Sequence, residues 1–425
     1  MLSAALSFSA AAHAVLEKPS YALTGLDLLK GAPASLKVLE KDAETGTAVV
    51  YLDPAAGEFL SRRAHEAGRC GGFEALSELG DAPGVFSVGP AARAQARSVL
   101  AGLRERVRAE QAVAPLAARA SFPKRDTVVS AVALVQASNI RDTVTWFSNF
   151  PSRFNRGADA NVPVQALRDK VKALVAGVPG ATVDLIDHVK TPQKSVRVRI
   201  PGKARASEVV VLGGHLDSIV GWGGGPRAPG ADDNASGTSS LVEALRILAL
   251  PAADGRPALL PAERTIEFFF YAGEESGLLG SAEIAQDYRN RNVDVVGVLQ
   301  LDMTLFPGSG ALKIASMTDF TSAWMRNFLV EINRHYVGAT ILEDKCGYGC
   351  SDHASWFRRG YPAVMPFEAA FDDMNRNIHT TSDVIDSRSD FEHAASFSKL
   401  AIAMAVELGN TTERPPTGGT GLASR

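Results

Sequence analysis

The sequence predicts an α/β fold, a mostly parallel central β-sheet sandwiched by helices and preceded by a small α+β region. Three observations carry that expectation. Short runs at Val209-Val210-Val211-Leu212, 266–271, 295–301 and Ala363-Val364-Met365 are apolar at nearly every position, as strands buried on both faces are. Helix-like stretches at 236–250, 277–289, 319–336 and 389–408 alternate with them, an order that lays helices over both faces of one sheet. Acidic residues stand where those runs stop, so their carboxylates can face a common cleft at the strand ends.

Composition sets the outer bounds. At 425 residues the chain exceeds one typical core, which predicts two domains or a domain with a processed segment. With 46% hydrophobic and 21% charged residues it reads as an ordinary soluble globular protein. The 44 basic and 47 acidic residues give a net charge of -3 without a long basic block, which argues against nucleic acid as a partner. No run reaches the roughly 18 to 20 apolar residues that span a bilayer, so no membrane helix is expected.

In chain order, residues 1–14 are rich in Ala, Leu, Ser and Phe, lack acidic residues and end Ala12-His13-Ala14. This small-x-small ending predicts a secretory signal peptide and a secreted or periplasmic protein; the plainer alternative is an Ala-rich terminus. Residues 15–121 contain strand-like pieces at 36–39 and 47–52 and a charged helical run at 91–114 that Pro115 is expected to stop. They hold no cluster of ligand-type residues. That region reads as a propeptide with a cleavage point near Pro123-Lys124-Arg125, or as an accessory domain.

The domain carrying the chemistry is expected at 122–409. Residues 128–178 read as two helices, the second at 164–175, with Phe150-Pro151-Ser152-Arg153-Phe154 between them. Alternating polar and apolar residues at 182–188 and 195–200 predict an antiparallel hairpin across Thr191-Pro192-Gln193-Lys194. The tail at 410–425 is rich in Thr, Pro and Gly and is expected to be disordered. Of the three cysteines, Cys346 and Cys350 flank Gly347-Tyr348-Gly349, where a turn can bring them together. In an exported protein they suggest a local disulfide, leaving Cys70 unpaired.

Two divalent ions held a few ångströms apart need oxygen and imidazole ligands, one carboxylate able to bridge, and an open position for water. His215, Asp233, Glu275, Asp302 and His379 supply such a set. Each member has a bland reading. A lone histidine is usually a core or surface residue, and Asp232-Asp233-Asn234 followed by Ser236 reads as an Asx turn and helix cap. Glu274-Glu275 reads as an acidic helix start. The set is stronger than its members. Asp217, two residues past His215, can accept the second imidazole N–H. Asp302 ends an apolar run where an unpartnered carboxylate would be costly to bury, and a metal would supply the partner.

The motifs Gly213-Gly214-His215-Leu216-Asp217-Ser218, Gly230-Ala231-Asp232-Asp233-Asn234-Ala235-Ser236-Gly237 and Glu274-Glu275-Ser276-Gly277-Leu278 recur in one order with Leu301-Asp302-Met303, the stretch from Cys346 to Trp356, and Ile378-His379-Thr380-Thr381. Together they resemble the secreted bacterial leucine aminopeptidases of the M28 family of di-zinc metallopeptidases, from about Ala137 to Asn410. The resemblance implies two Zn2+ per subunit, with Asp233 bridging them, His215 and Asp302 completing one site, and Glu275 with His379 completing the other. It implies that Glu274 is the base that takes a proton from the attacking water and returns it to the leaving amine. Asp217 would orient His215, Tyr348 would steady the oxyanion, and the Asp233-Asn234 peptide would be cis, with Asn234 where the best-known relatives carry a third Asp.

By the same resemblance Met303, Met365, Phe367, Phe371, Met374 and Ile378 line an apolar recess for the first side chain beside the Cys346–Cys350 bridge. Large residues such as Leu would be preferred, with Met374 standing where relatives commonly carry an aromatic. Asp352 and His353 are left to a structural helix start. The expected partners are peptide or protein N-termini, and the expected state is a monomer. Two other readings compete: an M28-like glutaminyl cyclase, and a binding protein that kept the fold and lost its metals. The complete ligand set and the Cys-x-x-x-Cys loop argue against the first, and the intact ligands against the second.

Overall fold

The computed structural model describes residues 19–67, 71–76, 88–117, 122–221, 223–253, 258–309, 313–412 and 414. The expected signal peptide at 1–14, Cys70, and most of the 410–425 tail lie outside those residues.

Strands β1 (Ser20–Gly25), β2 (Lys37–Asp42) and β3 (Thr47–Leu52), helix α1 (Pro54–Glu66), strand β4 (Phe73–Ala75) and helix α2 (Pro90–Ala117) form the N-terminal region. Its four strands pair antiparallel in the order β2-β3-β1-β4. Helix α2 corrects the expected stop at Ala114, because Pro115 lies inside its last turn. A proline there forfeits one hydrogen bond where the helix is ending anyway.

Helices α3 (Asp126–Val132), α4 (Ala137–Ser148) and α5 (Val162–Leu174) follow, three where the apolar pattern of 128–178 suggested two. The break has a tertiary cause. Gln136 is extended (φ -121°, ψ 115°), and its N–H donates to the Glu243 carboxylate at 2.8 Å, a partner more than a hundred residues away.

The remaining elements are β5 (Thr182–Ile186), β6 (Ser195–Ile200), β7 (Arg205–His215), α6 (Gly237–Leu248), β8 (Arg264–Tyr271), α7 (Leu279–Asn290), β9 (Asp294–Gln300), β10 (Lys313–Met317), α8 (Ala323–Tyr336), β11 (Thr340–Asp344), α9 (His353–Arg358), β12 (Ala363–Val364), β13 (Pro366–Phe367) and α10 (Phe391–Asn410). The central six-stranded sheet runs β12-β9-β7-β8-β6-β5. Its first four strands are parallel, and the β5–β6 hairpin extends it antiparallel. A smaller sheet, β11-β10-β13, stands beside it.

Strand periodicity divides the core. Val210, Leu212, Phe268 and Phe270 point to one face, covered by α4, α5, α6, α8 and α10. Val209, Val211, Phe269 and Tyr271 point to the other, where Trp356 and α7 meet Tyr21, Leu23 and Leu39 of the N-terminal sheet and Leu100 of α2. The N-terminal region is thus one layer of the sandwich. Its edge reaches the chemistry as well, because the Ala75 N–H donates to the Gly277 carbonyl at 3.0 Å, two residues past Glu275. Among the described residues, no helix is long and apolar enough to cross a membrane.

Candidate metal centre

Three adjacent parallel strands end side by side, and each end delivers a ligand-type residue. Strand β7 ends on His215; β8 leads through Ala272 and Gly273 to Glu274 and Glu275; β9 leads through Leu301 to Asp302. Close approach requires the glycines before His215, since a Cβ on Gly213 would meet the Tyr271 ring at 2.4 Å and one on Gly214 the Leu301 carbonyl at 2.7 Å. Asp233 comes from the turn before α6, within Ala231–Ser236, where the Asp233–Asn234 peptide is cis. His379 comes from the loop before α10, with φ at 56° and its carbonyl accepting the Gly221 N–H at 2.8 Å.

Among the described residues, His215, Asp233 and Asp302 form one buried group able to hold a metal ion, and Asp233, Glu275 and His379 form another. Asp233 belongs to both. Its Oδ1 lies 3.0 Å from His215 Nε2, and its Oδ2 lies 2.8 Å from His379 Nε2. His215 Nε2 is 3.3 Å from Asp302 Oδ1, and His379 Nε2 is 2.9 Å from Glu275 Oε2. All five expected ligands therefore converge.

Asp232 turns away from this centre. Its carboxylate accepts from the Leu305 N–H, the Ser236 hydroxyl and the Asn375 amide, at 3.0 to 3.2 Å. Glu274 is buried yet belongs to neither group, and its Oε2 has no hydrogen-bond partner.

Two further carboxylates set the backbone. Asp217 Oδ1 is 3.5 Å from His215 Nδ1, and its two oxygens accept the N–H groups of Glu274 and Glu275 at 3.1 and 3.3 Å. Asp383 does the same for Asp232 and Asp233, at 3.0 and 3.1 Å. Asn234 ties the strand ends together: its amide donates to the Leu301 carbonyl at 3.0 Å while its oxygen accepts from Gly237 and Met303. The Ser351 hydroxyl donates to Asp302 Oδ2 at 2.5 Å. Sequence reasoning passed over Asp383, Asn234's bonding and Ser351. A faint signal existed for Asp383, an acidic residue in the same polar loop as His379.

Electrostatics follow from burying several carboxylates together. Burial pushes Glu274 well above the ordinary carboxylate range and Glu275 up to about 7. For the histidines burial opposes the charge, but neighbouring carboxylates win. Asp302 and Glu274 hold His215 well above its usual value, while Glu275 and Asp233 raise His379 to about 10. Asp233 is held low against the pull of burial by its bonds to both imidazoles. Carboxylates so crowded, with Glu275 Oε1 also lacking a hydrogen bond, have the chemistry of a divalent-cation site.

Met303, Met365, Phe367, Met374 and Ile378 gather with Tyr348 and the bonded Cys346–Cys350 pair in one apolar cluster, and Phe371 packs on its edge. His353 is fully buried with Nε2 on the Asp319 carbonyl at 3.1 Å, and Asp352 accepts from Gln300 at 2.9 Å; neither joins a ligand group. A chain of Ser195, His188 and Glu283 has the residue types of a nucleophile relay. Ser195 is fully buried, however, and its oxygen accepts the Ala272 N–H, so it fastens the hairpin to the end of β8.

Residues 195–405 match the model of Peptidase family M28. A probable leucine aminopeptidase of Trichophyton verrucosum is 36% identical over 278 residues, covering 65% of this chain and 75% of that protein. The fold is similar to the crystal structure of the Legionella pneumophila LapA aminopeptidase, with a TM-score of 0.76 and 26% identity over 93% of this chain and 99% of that one. A span so wide includes the N-terminal layer. A glutaminyl cyclase of Bacteroides thetaiotaomicron shares the fold alone, at a TM-score of 0.51 and 14% identity over 64% of this chain and 98% of that one. With its ligand groups assembled at the strand ends and three-quarters of a leucine aminopeptidase matched, the chain belongs to peptidase family M28 and is a metallo-aminopeptidase.

Proposed function

We propose that the chain is an exported, monomeric aminopeptidase holding two zinc ions, which removes large hydrophobic N-terminal residues such as Leu. The observation that carries this reading is the division of Asp233 between two ligand groups, one oxygen toward each histidine. One position would be held by His215 and Asp302, the other by Glu275 and His379, with Asp233 common to both. When bound there, zinc supplies Lewis acidity, polarising a carbonyl and bringing the pKa of water down to about 7.

Glu274 is the base. It stands beside the ligands, its carboxyl pKa raised by burial, so it can take a proton from the attacking water and hold it for the leaving amine. Asp217 fixes where that carboxylate sits by binding the amides of Glu274 and Glu275, and it faces His215 as well. Tyr348, in the loop closed by the disulfide, would donate to the oxyanion. The cluster of Met303, Met365, Phe367, Phe371, Met374 and Ile378 supports an apolar first-residue recess. The leader-like 1–14 segment and the disulfide support export.

The test pairs metal content with rate. Leucine p-nitroanilide hydrolysis should vanish on chelation and return with zinc, reaching its maximum at two ions per chain. A rate that survives chelation, or saturation at one ion, sinks the proposal. Cyclisation of an N-terminal Gln peptide without leucine release would instead select the cyclase reading.

A further inference from the structure

Arg153 lies in the loop between α4 and α5 and is among the largest fully buried side chains of the protein. Its guanidinium donates to four backbone carbonyls: Leu216 at 2.9 Å, Pro229 at 2.5 Å, Gly230 at 2.8 Å and Phe147 at 3.3 Å. The Phe147 ring lies 4.6 Å from it. Among the described residues, no carboxylate pairs with it directly. A buried cation satisfied only by carbonyls is costly, and burial pulls its pKa down to about 10. What opposes that pull is the field of Asp383, Asp217, Asp233 and Glu275, the groups around the metal centre.

The carbonyls are not arbitrary. Leu216 stands between His215 and Asp217, while Pro229 and Gly230 lead directly into the turn that carries Asp233. Gly230 is left-handed at φ 50°, and a Cβ there would meet the Asp233 carbonyl at 2.3 Å, Ser218 Cβ at 2.6 Å and the Arg153 guanidinium at 2.8 Å, so the arginine is one of three groups packed against this backbone. A third link runs through Gln193, whose amide donates to the Arg153 carbonyl at 2.9 Å and whose oxygen accepts the Gly273 N–H at 3.3 Å, just before Glu274.

We infer that Arg153 is a positioning residue of the metal centre, setting the separation of the His215 and Asp233 loops and supplying a fixed positive charge beneath their carboxylates. This rests on the proposed zinc reading. The planar fork reaches two loops at once, which a point-charge ammonium cannot do.

The experiment compares full-length wild type, Arg153→Lys and Arg153→Gln by zinc competition against a chromophoric chelator, with thermal melts of metal-free and zinc-loaded protein. Both folded variants should lose about 10- to 100-fold in zinc affinity, the range for groups that hold ligands in place, with lysine losing less than glutamine because it keeps the charge. The zinc-induced rise in Tm should shrink in the same order. Wild-type zinc affinity in either folded variant, or failure of both to fold, overturns the inference and leaves Arg153 a residue of the fold alone. A wild type that binds no zinc removes the metal reading and the inference with it, whereas tight wild-type binding with unaltered variants removes the inference only.

Discussion

Glu274 and Glu275 are chain neighbours, both buried, both with raised pKa values, and the geometry assigns them opposite phenotypes. Glu275 Oε2 lies 2.9 Å from His379 Nε2 in a ligand group, whereas Glu274 is in neither group. In Glu274→Gln the backbone N–H that binds Asp217 is unchanged, the side-chain volume is kept, and no hydrogen bond at Oε2 is lost because none exists. The ligands stay in place, so zinc stoichiometry and affinity should equal wild type. What disappears is the proton acceptor. General-base catalysis contributes about 10²- to 10⁴-fold, so kcat should fall by that factor, equivalent to roughly 3 to 5 kcal/mol on the barrier, with KM nearly unchanged. Glu275→Gln should instead weaken zinc binding, with its rate partly restored by excess zinc. The assays are leucine p-nitroanilide kinetics and metal analysis of dialysed protein. A Glu274→Gln enzyme with full zinc and a kcat within tenfold of wild type would refute the base assignment. Loss of zinc from that variant would refute the division of labour.

Asp383→Ala removes the acceptor of the Asp232 and Asp233 amides; zinc affinity should fall about 10- to 100-fold, read by chelator competition, while the melting of metal-free protein changes far less. His353 offers a pH test away from the ligands. Burial pushes its pKa down to about 4 from the usual 6.5, so the unfolded chain takes up a proton that the folded one refuses. Stability present above pH 6.5 is lost as pH falls through about 4, by about 3 kcal/mol in all, and His353→Gln should flatten that acid slope in urea melts followed between pH 7 and 4. Trypsin should cut at exposed Lys124, beside half-buried Arg125, and the two pieces should co-elute on gel filtration because the N-terminal layer covers Val209, Val211, Phe269 and Tyr271. Separation of the pieces without denaturant would show that layer to be removable, as a propeptide must be.

What could be read from the chain, and what could not, follows from how far each signal travels along it. Strands buried on both faces announce themselves by unbroken apolar runs, and parallel pairing then brings their carboxyl ends together, so His215, Glu275 and Asp302 were legible from strand position and residue type. Of the groups that hold those ligands, Asp217 was marked by its place two residues past His215, but the more distant ones had no such signature. Asp383 binds amides 150 and 151 residues away, and Arg153 reaches Leu216 and Gly230 across 63 and 77 residues, with nothing in either local stretch to mark the partner. The same reason hid the break before α4, where a distant carboxylate, Glu243, takes the Gln136 N–H and an apolar stretch that reads as continuous helix is interrupted. It also explains the N-terminal layer. One of its two helices and two of its four strands were visible, but whether it was a detachable leader depended on which face of Phe269 and Tyr271 lay bare, and α7 and α9 alone leave part of that face for the N-terminal sheet to cover. A ligand's chemistry is written in its own side chain, whereas its orientation is written in remote backbone, so the first can be proposed from motifs and the second only from the folded chain.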